Sequence, residues 1–306
     1  MKELSRSRKG FVLVSVLILG VLLISTATAF SWFARTQAKT LGSEISSLTN
    51  RTFAHVLVNS VIGAVSQVNS KTNYDSPTQK WYQPFVIAVP DMGVWVAKVT
   101  PLDDKIPLRN LFLPDGTTIR GEITEAWHSM WDKLRRRELE QLVLDFTDRN
   151  KKPRVGSTER DYFINRPPFD ISELLILSSD IDTDLLYGSG GELGISDYCT
   201  IYSDGKININ VAPLHVIELL PGLDMGGTAQ SIAEYRKDKP IKDLQDLQSI
   251  PGAGARASNQ LMNIVGFKSR YFNVRLECLT EDSEGGASFS IVFDRTLMQV
   301  VRWEEL

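Results

Sequence analysis

The chain has 306 residues, of which 42% are hydrophobic and 23% are charged, and its formal net charge is −3. This length allows one large domain or two smaller ones, and the mildly acidic balance gives no reason to expect a polyanionic partner such as DNA. The two cysteines, Cys199 and Cys278, are too few for a disulfide scaffold and wrongly spaced for a zinc site. One disulfide in an oxidising compartment and two buried thiols are both open.

An uncharged segment rich in large apolar residues occupies positions 11–34. At ~1.5 Å per residue, a helix of this length spans a hydrocarbon core of ~30 Å. The preceding segment, residues 1–10, contains four cations against one glutamate: Lys2, Arg6, Arg8 and Lys9. Because positive charge keeps the near end of a single apolar helix in the cytoplasm, the rest of the chain is predicted to be exported. In a bacterium with two membranes, the destination is the periplasm.

Three interpretations of the N-terminus are open. A secretory signal peptide is one, because Ala27-Thr28-Ala29 is a small-x-small cleavage site at the end of the apolar run. A permanent single-span anchor is the second. The third is a prepilin leader, in which cleavage between Gly10 and Phe11 leaves the apolar helix on the mature protein. The third is favoured because the apolar run exceeds the roughly 7–15 residues of a usual signal core.

The helical pattern continues beyond the apolar segment. Residues 36–68 contain almost no turn residues, and apolar side chains recur there at mostly three- and four-residue steps. These side chains are Leu41, Ile45, Leu48, Ala54, Val58 and Ile62. The sequence therefore predicts one long helix, membrane-spanning over residues 11–34 and amphipathic over residues 35–70.

Residues 11–19 (FVLVSVLIL) resemble the N-terminus of pilins and pseudopilins. Most members of these families have glutamate as the fifth mature residue, where this chain has Ser15. A carboxylate in an apolar helix bundle needs a cation, which in these families is the N-terminal amine of the subunit above. A subunit with none above it has no use for the carboxylate. Protein K of type II secretion is the pseudopilin that lacks it, and it is placed at the tip.

Further segments resemble the protein K family. Residues 203–213 (SDGKININVAP) are similar to its GKxNxNxAP segment, and residues 102–110 (LDDKIPLRN) are similar to its acidic D-(E/D)-x-GK-(I/L)-(N/P)-x-N segment. Five more segments follow in the family's order: residues 144–148, 153–154, 159–163, 166–169 and 172–175. The resemblance extends from Lys9 to about Arg302, although the first asparagine repeat is degraded and the acidic stretch is less acidic than in the family.

We predict an α+β fold in which a pilin-like long N-terminal helix packs on a small antiparallel sheet, with a large and mostly helical domain inserted. The predicted order is leader 1–10, membrane helix 11–34, amphipathic helix 35–70, pilin-like strands 71–105, inserted α-domain 106–266 and C-terminal strands 267–306. Within the insertion, Asp204-Gly205 between two strand-like runs predicts a hairpin over residues 198–209.

A helix-hairpin-helix signature runs from Leu244 through Gly254 and continues to Leu261. Its functional interpretation is sequence-independent DNA binding, because paired glycines let backbone N–H groups approach a phosphate. However, residues 213–266 contain six acidic and five basic side chains, whereas phosphate binding needs a basic patch. We therefore predict a structural hairpin and no nucleic-acid partner. A membrane-anchored DNA-binding protein is the alternative function.

Four acidic residues in or beside a polar loop are candidate Ca²⁺ ligands: Asp145, Asp148, Glu159 and Asp161. Hard carboxylate oxygens on a flexible loop suit Ca²⁺ better than zinc. Relatives in the protein K family bind calcium in their acidic α-domain, so the resemblance implies Ca²⁺ as a cofactor here. The alternative is that the acids pair with arginines of the same region: Arg149, Arg154 and Arg160.

The three histidines are isolated, and no motif of a serine hydrolase, zinc protease or P-loop occurs in the sequence, so we predict no enzymatic activity. The resemblance implies a minor pseudopilin in the bacterial inner membrane with a periplasmic head. It implies cleavage by prepilin peptidase between Gly10 and Phe11, N-methylation of Phe11, and partners of the I and J types at the pseudopilus tip. The secreted substrate and the outer-membrane secretin are further candidate partners. A minor tip pilin of a type IV pilus is a neighbouring alternative.

Overall fold

The computed structural model describes residues 3–69, 72–90, 92–177, 179–223, 226–253, 259–279 and 286–306. The chain divides into two units, Met1–Val56 and Leu57–Leu306. The described helices are α1 Glu3–Asn69, α2 Gly121–Lys133, α3 Glu140–Thr147, α4 Thr183–Tyr187, α5 Ile195–Tyr198, α6 Leu214–Ile217, α7 Thr228–Asp238, α8 Leu244–Ser249 and α9 Asn259–Ile264. The strands are β1 Phe85–Val89, β2 Gly93–Pro101, β3 Ile106–Pro107, β4 Cys199–Thr200, β5 Ile207–Asn208, β6 Val265–Gly266, β7 Tyr271–Leu279, β8 Ser288–Asp294 and β9 Gln299–Glu305. Short 3₁₀ helices occupy Lys80–Tyr82, Leu108–Asn110, Arg137–Leu139 and Ile171–Leu177.

The long N-terminal helix is confirmed as α1, which is 67 residues long. No proline precedes Pro77 in the sequence, so no residue of the helix lacks a backbone donor. Within the described part of the helix, six threonine hydroxyls donate to carbonyl oxygens one turn earlier: those of Thr26, Thr28, Thr36, Thr40, Thr49 and Thr52. Because hydrocarbon offers polar groups no partner, this internal hydrogen bonding suits a membrane-crossing helix. By length and composition, Phe11–Gln67 qualifies as such a helix.

The second unit is built on a five-stranded antiparallel sheet with the strand order β1-β2-β7-β8-β9. Alternate side chains of the inner strands are buried, as the period of two requires. On this face the ring of Trp95 stacks on Phe289 at 6.3 Å between centroids, and Phe272 stacks on Phe293 at 5.3 Å. The predicted α+β fold, a long N-terminal helix with an antiparallel sheet, is thus confirmed.

A segment whose regular structure is mainly helical connects two neighbouring inner strands of the sheet, because β2 ends at Pro101 and its neighbour β7 begins at Tyr271. The core of this segment includes Trp127 and Trp131 of α2, which are fully buried and meet edge to face at 5.6 Å. The hairpin predicted over residues 198–209 is wrong. Strand β4 pairs in parallel with β3, and β5 pairs in parallel with β6, so the two strands have different partners.

The helix-hairpin-helix signature corresponds to α8, the turn at residues 250–253 and α9. Gly254, Arg256 and Ala257 of this signature lie outside the described residues. Leu247, Ile250 and Leu261 are buried. Gly252 has a φ of +88°, and a Cβ atom there would lie 2.8 Å from Oγ1 of Thr228. A close approach to a neighbouring helix therefore explains this glycine without a phosphate.

Candidate functional site

The first candidate site is the surface of α1. From residue 11 to residue 49 every side chain is exposed except at Gly20, which is half-buried. Large apolar residues make up much of this surface, and Phe11 and Leu13 are 75% and 72% exposed. Soluble proteins rarely expose continuous apolar surface on this scale, and where it occurs it marks contact with a membrane or a protein.

The predicted assembly residue is Ser15. Ser15 lies within α1, and its hydroxyl donates to the carbonyl oxygen of Phe11 at 2.9 Å. A serine at this place therefore needs no external partner, whereas a carboxylate would need a cation. The Gly10–Phe11 peptide bond is also part of α1. The roles predicted for these residues in processing and assembly stay predictions.

A second apolar surface lies in the second unit, beside the edge strand β1. A groove of ≈ 440 Å³ is bounded by α1 residues 57–65 on one side and by β1 on the other, and Trp81 and Ala97 contribute to its lining. The side chains of Phe85, Val86 and Ile87 are all exposed. Among the described strands, β1 pairs with β2 alone, so β1 is an edge strand of the sheet whose other side can accept a further strand.

The junction between the sheet and the inserted segment is a polar site that the sequence did not predict. Asp103 follows β2 and is 1% exposed. Its carboxylate accepts hydrogen bonds from the backbone N–H of Asp204 (3.0 Å), and of Arg270 and Tyr271 (2.8 Å each). Its carbonyl oxygen accepts from the N–H of Asn208 at 2.6 Å. One residue therefore connects the start of the insertion, its middle and the return to the sheet.

The electrostatics of Asp103 follow from this position. Burial raises its pKa to about 7 from the usual 3.8, and the neighbouring charge of Asp204 adds to the rise. The backbone N–H donors of Tyr271, Asp204 and Arg270 lower the pKa but do not cancel the effect of burial.

Two buried asparagines explain the motif at residues 203–213. The side-chain amide of Asn208 donates to Oγ of Ser269 at 2.9 Å and accepts from the backbone of Asn210 at 3.0 Å. Asn210 bonds both backbone groups of Ile241 at 2.8 Å. Both amides are 0% exposed and need hydrogen-bond partners. Each finds a partner in a segment that is distant in the sequence, and so holds that segment in place. Polar residues alternating with isoleucine in a buried strand were the sequence signal for this role.

A buried ion pair reinforces the same junction. Nη1 of Arg295 lies 2.8 Å from Oδ1 of Asp75, and both side chains are almost fully buried. Oδ2 of Asp75 accepts from the N–H of Ser269 at 2.7 Å, and its own N–H donates to the carbonyl oxygen of Phe267 at 2.7 Å. The segment that returns to the sheet is thus fixed by carboxylates from two sides.

The four predicted calcium ligands have different surroundings. Asp145 and Asp148 are buried beside Arg154, whereas Asp161 is exposed. Both carboxylate oxygens of Glu159 are buried without a hydrogen-bond partner. Among the residues that the structure describes, no three histidine, cysteine or acidic side chains gather where they could hold one metal ion. As arranged, the four acids do not fit a Ca²⁺ centre.

The two cysteines are free and buried in different surroundings. Sγ of Cys199 lies 3.3 Å from Sδ of Met130, and Sγ of Cys278 lies 3.1 Å from the carbonyl oxygen of Met92. Burial raises the pKa of both thiols. Of the two alternatives left open by the sequence, the structure has the buried thiols.

The described histidines of the insertion have structural contacts. Nδ1 of His128 lies 2.6 Å from Oε1 of Glu140, and Nε2 of His215 lies 3.1 Å from the carbonyl oxygen of Asp197. Neither contact includes a serine or cysteine nucleophile.

Comparison with known proteins adds one likeness of fold. Neither a protein-family model nor a curated protein sequence matches the chain. A solved structure described as "The Crystal Structure of the GspK-GspI-GspJ complex from enterotoxigenic Escherichia coli Type 2 Secretion System" contains a similar chain, with a TM-score of 0.61 at 15% sequence identity. The match covers 89% of this chain and 99% of that chain. The protein therefore has a GspK-like fold.

Proposed function

We propose that the protein is a minor pseudopilin of a type II secretion system, a structural subunit and not an enzyme. The observation that carries the proposal is the exposed apolar surface of α1 on a chain whose fold is GspK-like. Such a surface is stable in lipid or against similar helices and not in water. The head then belongs in the periplasm, because the basic residues before the helix hold its other end in the cytoplasm.

Assembly follows from helix packing. In lipid, helices associate through van der Waals packing and hydrogen bonds instead of the hydrophobic effect. The mature protein would begin at Phe11 after cleavage by prepilin peptidase, and the methylated helix would pack beside the helices of I- and J-type minor pseudopilins. Ser15 offers no carboxylate to the amine of a subunit above, which supports a position at the tip.

The groove beside β1 is the surface of the head proposed for the same partners. Its lining is apolar, and it adjoins an edge strand whose outward side chains are exposed. The similar solved chain belongs to a complex with two other pseudopilins, and a groove and free edge of this kind accept a helix or a strand. At the tip, the subunit would initiate or cap the pseudopilus and support export of folded proteins.

Mass spectrometry of the N-terminal peptide, on protein extracted from membranes of cells that carry the secretion system, tests this function. The expected peptide begins with N-methylated Phe11, and deletion of the prepilin peptidase leaves the leader in place. A matched pair of variants sharpens the test. Gly10→Val should block cleavage, whereas Gly20→Val, within the same helix, should not. A mature protein beginning at Phe30 would refute the proposal, and an intact Met1 in the wild-type cells would indicate a plain anchor.

A minor tip pilin of a type IV pilus would have the same mature N-terminus. The phenotype of a deletion strain distinguishes the two functions. Deletion of the chain should abolish secretion of a folded exoprotein and leave twitching motility unchanged. The opposite result would assign the protein to a pilus.

A further inference from the structure

Two buried carboxylates stand next to each other at the end of α3. Asp145 is 0% exposed and Asp148 is 1% exposed. Burial raises the pKa of Asp148, and the charge of Asp145 contributes to the rise. Removing two like charges from water together is unfavourable unless a cation lies between them or beside them. The fold therefore requires a positive charge here.

Arg154 supplies that charge. Its Nη2 donates to Oδ2 of Asp148 at 2.9 Å, and its Nε lies 3.3 Å from Oδ1 of Asp145. The backbone N–H of the same residue donates to Oδ2 of Asp145 at 2.9 Å. One residue thus contacts both carboxylates, through its guanidinium and through its main chain. Arginine suits this role because it stays charged when it is partly buried.

Other contacts hold the guanidinium in place. Nη2 of Arg154 also donates to the carbonyl oxygen of Thr117, and its Cζ lies 5.6 Å from the centre of the Phe112 ring. Asn150 completes the coordination of Asp148, with its backbone N–H at 3.1 Å and its side-chain amide at 3.2 Å. The two carboxylates therefore already accept hydrogen bonds from four protein donors: two of Arg154 and two of Asn150.

The charge of the loop opposes a divalent cation as well. Residues 149–154 (RNKKPR) contain four cations and no acid. The remaining acids do not compensate, because Asp161 is exposed and Glu159 does not gather with Asp145 and Asp148 into a group of three. A Ca²⁺ site normally takes six to eight oxygen ligands, with several carboxylates among them.

We propose that Arg154 is a built-in cation that replaces a bound divalent metal, so that this part of the inserted domain folds and stays folded without calcium. The four candidate acids thus do not fit the Ca²⁺ cofactor that the family resemblance implies. The inference concerns the stability of the head alone and holds whether or not the chain is a pseudopilin.

Thermal unfolding of the full chain in detergent, followed by circular dichroism with excess EGTA or with millimolar CaCl₂, tests this proposal. The wild-type Tm should be the same in both solutions. Arg154→Gln should lower the Tm in EGTA by roughly 5–10 °C, because two buried carboxylates lose their cation. Lys151→Gln makes the same change of charge at an exposed position of the same loop, and its Tm should match the wild type.

Two results would overturn the proposal. One is a wild-type Tm that rises by several degrees when Ca²⁺ replaces EGTA. The other is an Arg154→Gln protein as stable as the Lys151→Gln protein in EGTA. If Arg154→Gln fails to fold, calcium titration calorimetry on the wild-type chain decides alone. No saturable heat supports the built-in cation, whereas stoichiometric binding that Asp145→Asn abolishes would refute it.

Discussion

The two units of this chain differ in whether their apolar side chains are exposed or buried. In the first unit, residues 11–49 are exposed apart from Gly20, and threonine hydroxyls bond to carbonyl oxygens of the helix itself. In the second unit, most of the large apolar side chains are buried, and polar groups such as those of Asp103 and Asn210 fix distant segments. The apolar surface of the first unit thus needs lipid, detergent or another protein to cover it, whereas the second unit buries most of its apolar side chains in its own core. Stability measured in detergent should report on the second unit alone.

The largest expected effect is a loss of stability caused by a substitution in the core of the second unit. Phe289→Ala removes a fully buried ring that stacks on Trp95, and the free energy of unfolding should fall by about 3–5 kcal/mol. Leu17→Ala removes an apolar side chain that is 68% exposed, and the unfolding of the head should not change. Chemical denaturation in detergent, followed by tryptophan fluorescence, measures both. Equal destabilisation by the two variants would mean that the units are not independent.

A smaller effect concerns pH and the polar junction. Asp103 keeps its proton in the folded state up to about pH 7, whereas in the unfolded chain it releases the proton near 3.8. Between these values the unfolded state binds fewer protons, so stability decreases as pH rises from about 4 to about 7 and is level above it. The difference of about three pKa units corresponds to at most about 4 kcal/mol.

Denaturation of the wild type and of Asp103→Asn at a series of pH values checks this expectation. The variant should lose the decrease between pH 4 and 7 because its side chain does not titrate. Asp161→Asn, at an exposed position, is the matched control and should keep the wild-type profile. The same decrease in all three proteins would assign it to another group.

The smallest expected effect is on association, with no change in stability. Val86→Lys places a charge on the exposed face of β1, beside the apolar groove. If the groove is the contact that we propose, binding of the variant to purified I- and J-type pseudopilins of the same system should weaken about tenfold, or ~1.4 kcal/mol. Val155→Lys changes an equally apolar residue that is 98% exposed and lies elsewhere, so its affinity should be unchanged. Pull-down titrations that weaken equally for both variants would exclude the groove as the contact.

The sequence predicted the parts of the fold that depend on local pattern. A run without charge or proline predicts α1, and alternation of apolar residues predicts the strands of the sheet. Local pattern failed where partners are distant. The turn at Gly205 has a φ of +101°, as a hairpin turn would, yet β4 and β5 pair with strands elsewhere in the chain. Two-residue strands carry too little pattern to specify a partner.

The candidate sites show the same limit. The long apolar helix could be predicted, because its length and its apolar composition are visible in the sequence alone. The acids near residue 145 were also recognised, but their arrangement was not, since an arginine nine residues away resembles any other loop cation in the sequence. Spatial neighbours decide these features.

The pairing of Pro101 with Phe272 at the centre of the sheet has a consequence for the order of folding. Strand β7 is synthesised, and would be exported, only after the entire insertion, so β2 has no neighbour on that side while the insertion folds. Closing an unstructured loop of that length is entropically unfavourable, and a folded insertion brings its two ends together beforehand. Folding of the insertion therefore precedes and favours the pairing of β2 with β7. Slow or faulty folding of that segment would leave the β1–β2 hairpin without its neighbour β7 and prone to aggregation.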